Sequence, residues 1–251
     1  MMVIAKIDNE VITSDDFVKI LKIKDTYEEH IEALLSDKLT VHAAKKHGLV
    51  VSDEEVQERA DQFRRIQGLH RAKDTLDYLN DLGITIDEFE IYLSEALLKQ
   101  KVVAEICSDD AINEYFRLNS PKFDVVEMRH IVVDAESKAR ELYALLEDEP
   151  EMFAELAHEH SLSADTAKEG GALGRLRRGT LPDEINAKAF NASRGEVLGP
   201  FASDDGLLYE IFQVEAFHPA TLDDVTAREV HKLIYRQWLE SRAQEHVIDV
   251  L

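Results

Sequence analysis

Four of the ten glycines in this chain lie within ten residues of one another, in the segment HSLSADTAKEGGALGRLRRG at 160–179. They are Gly170, Gly171, Gly174 and Gly179. Glycine lets backbone N–H groups approach an anion, so phosphate binding is the first chemistry to consider. Neither G-x-x-x-x-G-K-[ST] nor G-x-G-x-x-G fits this spacing. The segment therefore needs backbone freedom for another reason.

Histidines are the second set of residues that could do chemistry. His158 and His160 flank Glu159, but residues two apart on a helix point to different faces. His42 and His47 are five apart, which is no better as metal-ligand spacing. We therefore predict no metal site.

The composition restricts the class of partner. The 251 residues include 51 acidic and 29 basic side chains, for a net charge of −22. Phosphate backbones are bound by Lys and Arg, so we expect no nucleic-acid partner. The excess of acid is explained by solubility, or by repulsion of acidic surfaces and attraction of basic clients. An apolar fraction of 45% is ordinary for a globular protein of one large or two smaller domains.

Three further features concern the compartment. The single cysteine, Cys107, excludes an internal disulfide and a cysteine-based zinc cluster. The opening MMVIAKIDNEVITSDDF lacks a basic segment followed by a long apolar one, so we expect no secretory signal. No run approaches 18 apolar residues, so we expect no membrane partner. These features predict a soluble, cytoplasmic protein.

Residues 1–118 have the pattern of a helical domain opened by one short strand, MVIAKI. Ser52 with Glu55 and Thr85 with Glu88 fit the S/T-x-x-E spacing of a capping box, which begins a helix. Three glycines are expected to follow the ends of helices: Gly48, Gly68 and Gly83.

The pattern changes to mixed helix and strand over residues 119–218. Pro121 is expected to end a helix, and Val125–Val133 is a β-branched run typical of a strand. Helices are predicted near 139–146, after Pro150 and at 185–190, with strands at 173–178 and 207–217 and a turn at SRGEVLGPF. This is an α+β unit. Residues 219–251 are predicted to form a last helix.

Six pieces of this unit, in order, resemble the parvulin-type peptidyl-prolyl cis–trans isomerases. They are RHIVV, FAELAHEHS, GGALG, RRGTLPDEINAKAF, RGEVLGPF and IFQV, spread over residues 129–214. The helical N-terminal domain and the single final helix resemble the SurA/PrsA-type foldase arrangement, in which the last helix packs on the N-terminal helices.

The resemblance implies an antiparallel four-stranded sheet with surrounding helices, plus a SurA-N-like helical domain completed by the C-terminal helix. The GG-x-LG segment would be structural and would turn the chain into a strand. The implied activity is rotation of Xaa-Pro bonds in unfolded or proline-containing polypeptide clients, without metal or cofactor.

Residue by residue, the resemblance places the groove histidine at His130 and the family's Cys or Asp position at Ser163. A shift of one or two residues would put Asp165 there instead. The family's second histidine is replaced by Glu210, or by Leu208 if no gap is allowed. The implied substrate-binding residues are Leu181 and Ile185 for the proline ring, the hydroxyl residue Ser203, and Phe190 at a core phenylalanine position.

Three departures from the family pattern bear on activity. The second histidine is absent, Ile185 replaces an aromatic residue, and Ala172 replaces the acid of GG-D-LG. We expect an isomerase of reduced activity. The alternatives are a non-catalytic peptide-binding chaperone and a maturation partner dedicated to one client encoded nearby.

Overall fold

The computed structural model describes residues 2–248. Its contacts divide the chain into two units. The first comprises the residues up to Ile112 together with those from His231 onwards, and the second is Asn113–Val230. In the part of the chain that is described, no helix has the length and apolar character needed to cross a bilayer.

The first unit is mainly helical and opens with an antiparallel β-hairpin. Its elements are β1 (Val3–Ile7), β2 (Glu10–Thr13), α1 (Ser14–Ile23), α2 (Tyr27–Lys46), α3 (Asp53–Ile66), α4 (Ala72–Leu82) and α5 (Ile86–Ile106). The boundary between the units falls within α6 (Asp109–Asn119).

The hairpin corrects the prediction of a single opening strand. Asp8 adopts φ 52°, so the chain reverses at Asp8 and Asn9 and the segment EVIT pairs back onto β1. Asx residues tolerate this left-handed conformation and commonly form such two-residue turns. A four-residue strand is too short to produce a periodic signal of its own.

Both predicted capping boxes are confirmed. In each, the hydroxyl of the first residue accepts the backbone N–H of the glutamate, whose carboxylate accepts the N–H of the first residue: Ser52 with Glu55 and Thr85 with Glu88. The three predicted stop glycines follow α2, α3 and α4 with positive φ. The helix ends are therefore fixed by local sequence, as the capping patterns predict.

The second unit contains the sheet. After a 3₁₀ turn at Ser120–Phe123, its elements are β3 (Val125–Val133), α7 (Glu136–Asp148), α8 (Phe153–His160), α9 (Ala164–Ala167), β4 (Ala172–Arg177), α10 (Asp183–Ala189), β5 (Val197–Ala202), β6 (Tyr209–His218) and the start of α11 (Asp224–Ala243). The predicted strand Val125–Val133 and the helix after Pro150 are confirmed.

The four strands form one antiparallel sheet in the order β4-β3-β6-β5. Helices α7 and α8 cover one face, where Ile131 and Ile211 lie in the core. Helix α10 covers part of the other face, where Met128, Phe212 and Val214 lie in a second core. The structure thus has the predicted α+β fold with a four-stranded antiparallel sheet.

Strand β5 lies where the sequence predicted only a turn, in SRGEVLGPF. Gly199 and Pro200 lie inside it, and its pairing with β6 is interrupted between Leu198 and Phe201. Gly and Pro normally argue against a strand, but an edge strand tolerates both because one side of its backbone needs no partner. β5 is at the edge of this sheet.

The C-terminal helix α11 is shared between the two units. Its first residues, up to Val230, group with the sheet unit, where Arg177 forms a 2.5 Å ion pair with Glu229. From His231 onwards it groups with the first unit, where the Tyr235 hydroxyl lies 2.8 Å from Thr40 Oγ1. The predicted divisions are 1–118, 119–218 and 219–251. The first boundary of the structure lies six residues before the predicted one, and the second lies 12 residues after it, within α11.

Candidate active site

His130 lies in β3, on the face of the sheet that packs against α10. Its Cα is opposite Phe212 of β6, and the Cα of Val132 is opposite Glu210. Because side chains alternate along a strand, His130, Glu210 and Phe212 share one face. The His130 side chain is 12% exposed, so it lies at the edge of the core and still reaches solvent.

A short polar chain runs from His130 to the loop after α8. His130 Nε2 lies 2.9 Å from Thr166 Oγ1, and that hydroxyl lies 2.8 Å from Ser163 Oγ. Ser163 directly precedes α9 and Thr166 lies within it, so one helical turn brings the two hydroxyls together. Ser163 therefore meets His130 only through Thr166, a residue that the sequence analysis did not select.

Glu210 lies on the other side of the imidazole. Its carboxylate is 3.6 Å from His130 Nδ1, which is a distance for charge interaction rather than for a good hydrogen bond. Leu208 is instead part of the turn before β6, where its N–H donates to Ser203 Oγ. Of the two residues considered for the second histidine's position, Glu210 is therefore the one beside His130.

Asp165, the alternative to Ser163, is exposed and has no contact with the polar chain. The strand register thus places Glu210 and not Leu208 beside His130, and the short helix places Ser163 and not Asp165 in the polar chain.

The Glu210 carboxylate influences which ring nitrogen of His130 carries the proton. A negative charge beside Nδ1 favours a proton on that nitrogen. A neutral His130 then accepts at Nε2 from Thr166, and the Thr166 oxygen can accept from Ser163.

The backbone around His130 is fixed by its neighbours. Its N–H donates to the carbonyl of Gly171 at 2.8 Å, and the N–H of Val132 donates to Ser161 Oγ at 3.1 Å. Gly171 has φ 83°, and a Cβ there would collide with the His130 carbonyl oxygen. The glycine segment thus has a structural role, because it brings a loop against the histidine strand.

The residues predicted to bind proline form part of the core beneath this face. Ile185 and Phe190 are 8% and 7% exposed, and Leu181 packs on the same cluster while remaining half-buried. Arg178 covers the ring of Phe190, with its guanidinium carbon 4.2 Å from the ring centroid. Leu181 is therefore the member with the most accessible surface, whereas Ile185 and Phe190 are buried.

Ser203 lies in the turn between β5 and β6. Its hydroxyl is 2.6 Å from Asp205 Oδ1 and 3.1 Å from the Leu208 carbonyl. The hydrogen bond from Ser203 holds the pKa of the Asp205 carboxyl below its usual range. These contacts stabilise the turn, and they do not join Ser203 to the His130 chain.

The site has an apolar floor and a polar wall. Among residues 2–248, no group of three or more His, Cys, Asp or Glu side chains is placed to hold a metal ion. What the site offers is a histidine held between a carboxylate and two hydroxyls, on the sheet face whose apolar cluster also includes the half-buried Leu181. Such a surface can bind an apolar ring and polarise an adjacent amide.

Residues 127–216 match the family model of the PPIC-type PPIase domain. The foldase protein PrsA of Caldanaerobacter subterraneus subsp. tengcongensis is 28% identical over 210 residues, which are 84% of this chain and 61% of that protein. The PrsA foldase of Halalkalibacterium halodurans is 28% identical over 254 aligned residues, which are 98% of this chain and 73% of that one.

Among solved structures, the peptidylprolyl isomerase PrsA from Bacillus cereus is similar, with 19% identity and a TM-score of 0.47 over 99% of this chain and 93% of that chain. This chain thus spans about three fifths to three quarters of the length of the two PrsA relatives. It carries a PpiC-type, that is parvulin-type, peptidyl-prolyl isomerase domain and is a homologue of the PrsA foldases.

Proposed function

We propose that this protein is a peptidyl-prolyl cis–trans isomerase that accelerates rotation about Xaa-Pro bonds in polypeptide clients. The observation that carries the proposal is the position of His130. It lies 2.9 Å from the Thr166 hydroxyl and 3.6 Å from the Glu210 carboxylate, within the residues that match the isomerase family model.

Prolyl isomerisation needs a surface that binds the twisted amide, and it needs no group that reacts covalently with the substrate. The amide C–N bond has partial double-bond character, and its rotation barrier is about 18–20 kcal/mol. Unfolded chains hold roughly 10–30% of their Xaa-Pro bonds in cis and exchange them over tens of seconds or longer. An enzyme accelerates the exchange by binding the twisted amide more tightly than the planar one.

Each part of the site has a role in that binding. The proline ring would lie against the accessible surface of Leu181 on the apolar cluster. The polar chain of His130, Thr166 and Ser163 would face the amide and stabilise the charge that changes as it twists. No bond to the protein forms or breaks, so the cycle requires only binding, rotation and release.

Exchange spectroscopy on a panel of Xaa-Pro tetrapeptides tests this function. Wild-type protein is expected to increase the cis–trans exchange rate, and His130→Ala to reduce that increase about tenfold, because losing a charge-assisted contact costs about 1.5 kcal/mol. Circular dichroism of both proteins controls for folding. Equal acceleration by the two folded proteins would remove His130 from the mechanism.

A second function is favoured by one specific observation, the Glu210 carboxylate in place of the family's second histidine. The protein would then retain the groove and bind polypeptides as a chaperone with little or no catalysis. A folded wild-type protein that suppresses aggregation of an unfolded client, yet accelerates no peptide, would favour this function over the first.

Two further proposals concern the setting in which the protein acts. A client dedicated to this protein and encoded near it would be supported by co-purification with the product of a neighbouring gene. Location in the cytoplasm, which we predicted from the sequence, is tested by cell fractionation followed by immunoblotting of each fraction.

A further inference from the structure

A cavity of about 420 Å³ opens between α3, α4 and α5 in the helical unit. Its walls include the aromatic rings of Phe63, Tyr78, Phe89 and Tyr92. The Phe63 ring lies 4.9 Å from Phe89 and 5.9 Å from Tyr78 in edge-to-face contacts, which hold the aromatic wall of the cavity together. The volume is that of a small-ligand pocket, for which about 300–1,000 Å³ is typical.

The rim of this cavity exposes apolar side chains. Leu82 is 55% exposed, Ile84 37% and Tyr92 63%, and all three line the cavity. Leu82 and Ile84 flank Gly83, whose φ of 69° ends α4 and turns the chain towards α5. Apolar surface that stands open around a concave aromatic site is typical of a binding site.

The segment that forms one side of the cavity is acidic. Residues 72–92, which form α4, the turn and the start of α5, contain six carboxylates and one lysine. Of these carboxylates, Glu88 lines the cavity, Asp87 and Glu90 line a neighbouring one, and Asp74 is paired with Arg71. Glu88, in the cavity wall, is held by the Thr85 backbone N–H at 2.8 Å. That hydrogen bond lowers the pKa of the Glu88 carboxyl, so it is charged at neutral pH.

We propose that this cavity binds one large apolar side chain of an extended polypeptide segment whose flanking residues are basic. The aromatic wall favours the apolar side chain, and the carboxylates favour the lysines or arginines beside it. The cavity is compact, which suits one anchoring side chain better than the several anchors of an amphipathic helix. The site requires no proline and belongs to the helical unit, so it does not depend on the isomerase groove.

The probe is a fluorescein-labelled, amidated peptide without proline, Gly-Lys-Lys-Phe-Leu-Lys-Lys-Gly. Anisotropy titration with the full chain is expected to show saturable binding that weakens as salt is added, because the charges are at the surface. A second peptide with Glu in place of every Lys, and a third with Ser-Ser in place of Phe-Leu, are each expected to bind at least about tenfold more weakly.

Two variants of α4 provide the matched test. Leu82→Lys places a charge on the cavity rim, whereas Leu76→Lys makes the same change at a leucine of the same helix that is exposed but does not line the cavity. Leu82→Lys is expected to weaken binding of the basic peptide at least about tenfold, and Leu76→Lys to leave it within about twofold. Acceleration of Xaa-Pro exchange should be unchanged in both variants.

Amide chemical shifts of the labelled protein locate the peptide. Shifts concentrated on residues 78–92 support the proposal. No binding up to about 1 mM, equal weakening by the two variants, or shifts confined to the isomerase unit would each overturn it. Concentration-dependent shifts of the same amides without peptide, with a sedimenting dimer that Leu82→Lys abolishes, would overturn it in favour of a second copy of this chain.

Discussion

At the scale of single residues, the site depends on Thr166. This side chain joins His130 to Ser163, and without it the predicted catalytic serine would have no connection to the histidine. Its position could not be predicted from the sequence, because Thr166 is one of several small polar residues in the loop. Only the close approach of α9 to β3 singles it out.

The variant Thr166→Val tests this connection. Valine keeps the shape of threonine but removes the hydroxyl, so His130 Nε2 loses its partner, and we expect catalysed exchange to fall about three- to tenfold. Thr166→Ser restores a hydroxyl and should remain near the wild-type rate. Nitrogen chemical shifts of the imidazole should change in the valine variant only. An unaltered imidazole spectrum and an unaltered rate would contradict the role.

Glu210 is expected to influence which residue precedes proline. Its carboxylate is 33% exposed on the groove face, so it should favour Lys-Pro over Glu-Pro peptides by about two- to fivefold, the effect of a surface charge pair of about 0.5–1 kcal/mol. Glu210→Gln should abolish the preference, and added salt should reduce it in the wild type. A preference that survives the substitution would assign it to another residue.

At the scale of elements, the glycine segment determines where His130 can lie. The four glycines adopt positive φ, between 64° and 88°. Gly170 and Gly171 turn the chain from α9 into β4, Gly174 lies within β4, and Gly179 follows it. The prediction of a structural role followed from glycine's freedom at such angles. The sequence did not indicate which of the glycines is also required by close packing.

Alanine substitutions at Gly171 and Gly174 distinguish the requirement for positive φ from the requirement for close packing. Alanine at either position should cost about 1–2 kcal/mol for the left-handed backbone. Only at Gly171 would the new Cβ also meet the His130 carbonyl, adding about 1–3 kcal/mol, since the space around Gly174 is open. Urea unfolding followed by circular dichroism measures both, and equal losses of stability would show that the clash is relieved by movement.

The capping boxes of the helical unit predict a dependence on pH. Hydrogen bonds from Thr85 lower the pKa of Glu88 in the folded state. Its contribution to stability is therefore present above the unfolded pKa, near 4.5, and is lost as the pH falls through the lower folded value. Glu88→Gln keeps the hydrogen bonds but carries no charge.

The difference in unfolding free energy between wild type and Glu88→Gln should be present at pH 7 and disappear in strong acid, where both side chains are neutral. Urea titrations at a series of pH values provide the comparison. A difference that stays constant across the series would contradict the assignment to the carboxylate.

At the scale of the whole molecule, the order of elements in the sheet unit was largely predictable, and the exceptions have physical causes. β3 has β-branched residues at both ends and was predicted to the residue. β5 contains Gly199 and Pro200, which its edge position tolerates, and β2 is only four residues long. The partners of His130 depend on pairing between distant segments, which local patterns do not report.

The net charge of the whole molecule influences which polypeptide clients it attracts. With a net charge of −22, the protein should attract basic segments, and the isomerase groove and the helical cavity each carry a carboxylate beside apolar surface. Catalysis by the isomerase groove does not require binding by the helical cavity.

The most direct test is the cis–trans exchange rate of a single Lys-Pro tetrapeptide, measured by magnetisation transfer with substoichiometric wild-type protein. We expect exchange to be faster than the uncatalysed tens of seconds, with a rate proportional to protein concentration. An exchange rate equal to that of the free peptide, in the presence of protein shown to be folded, would contradict the claim that this groove catalyses prolyl isomerisation.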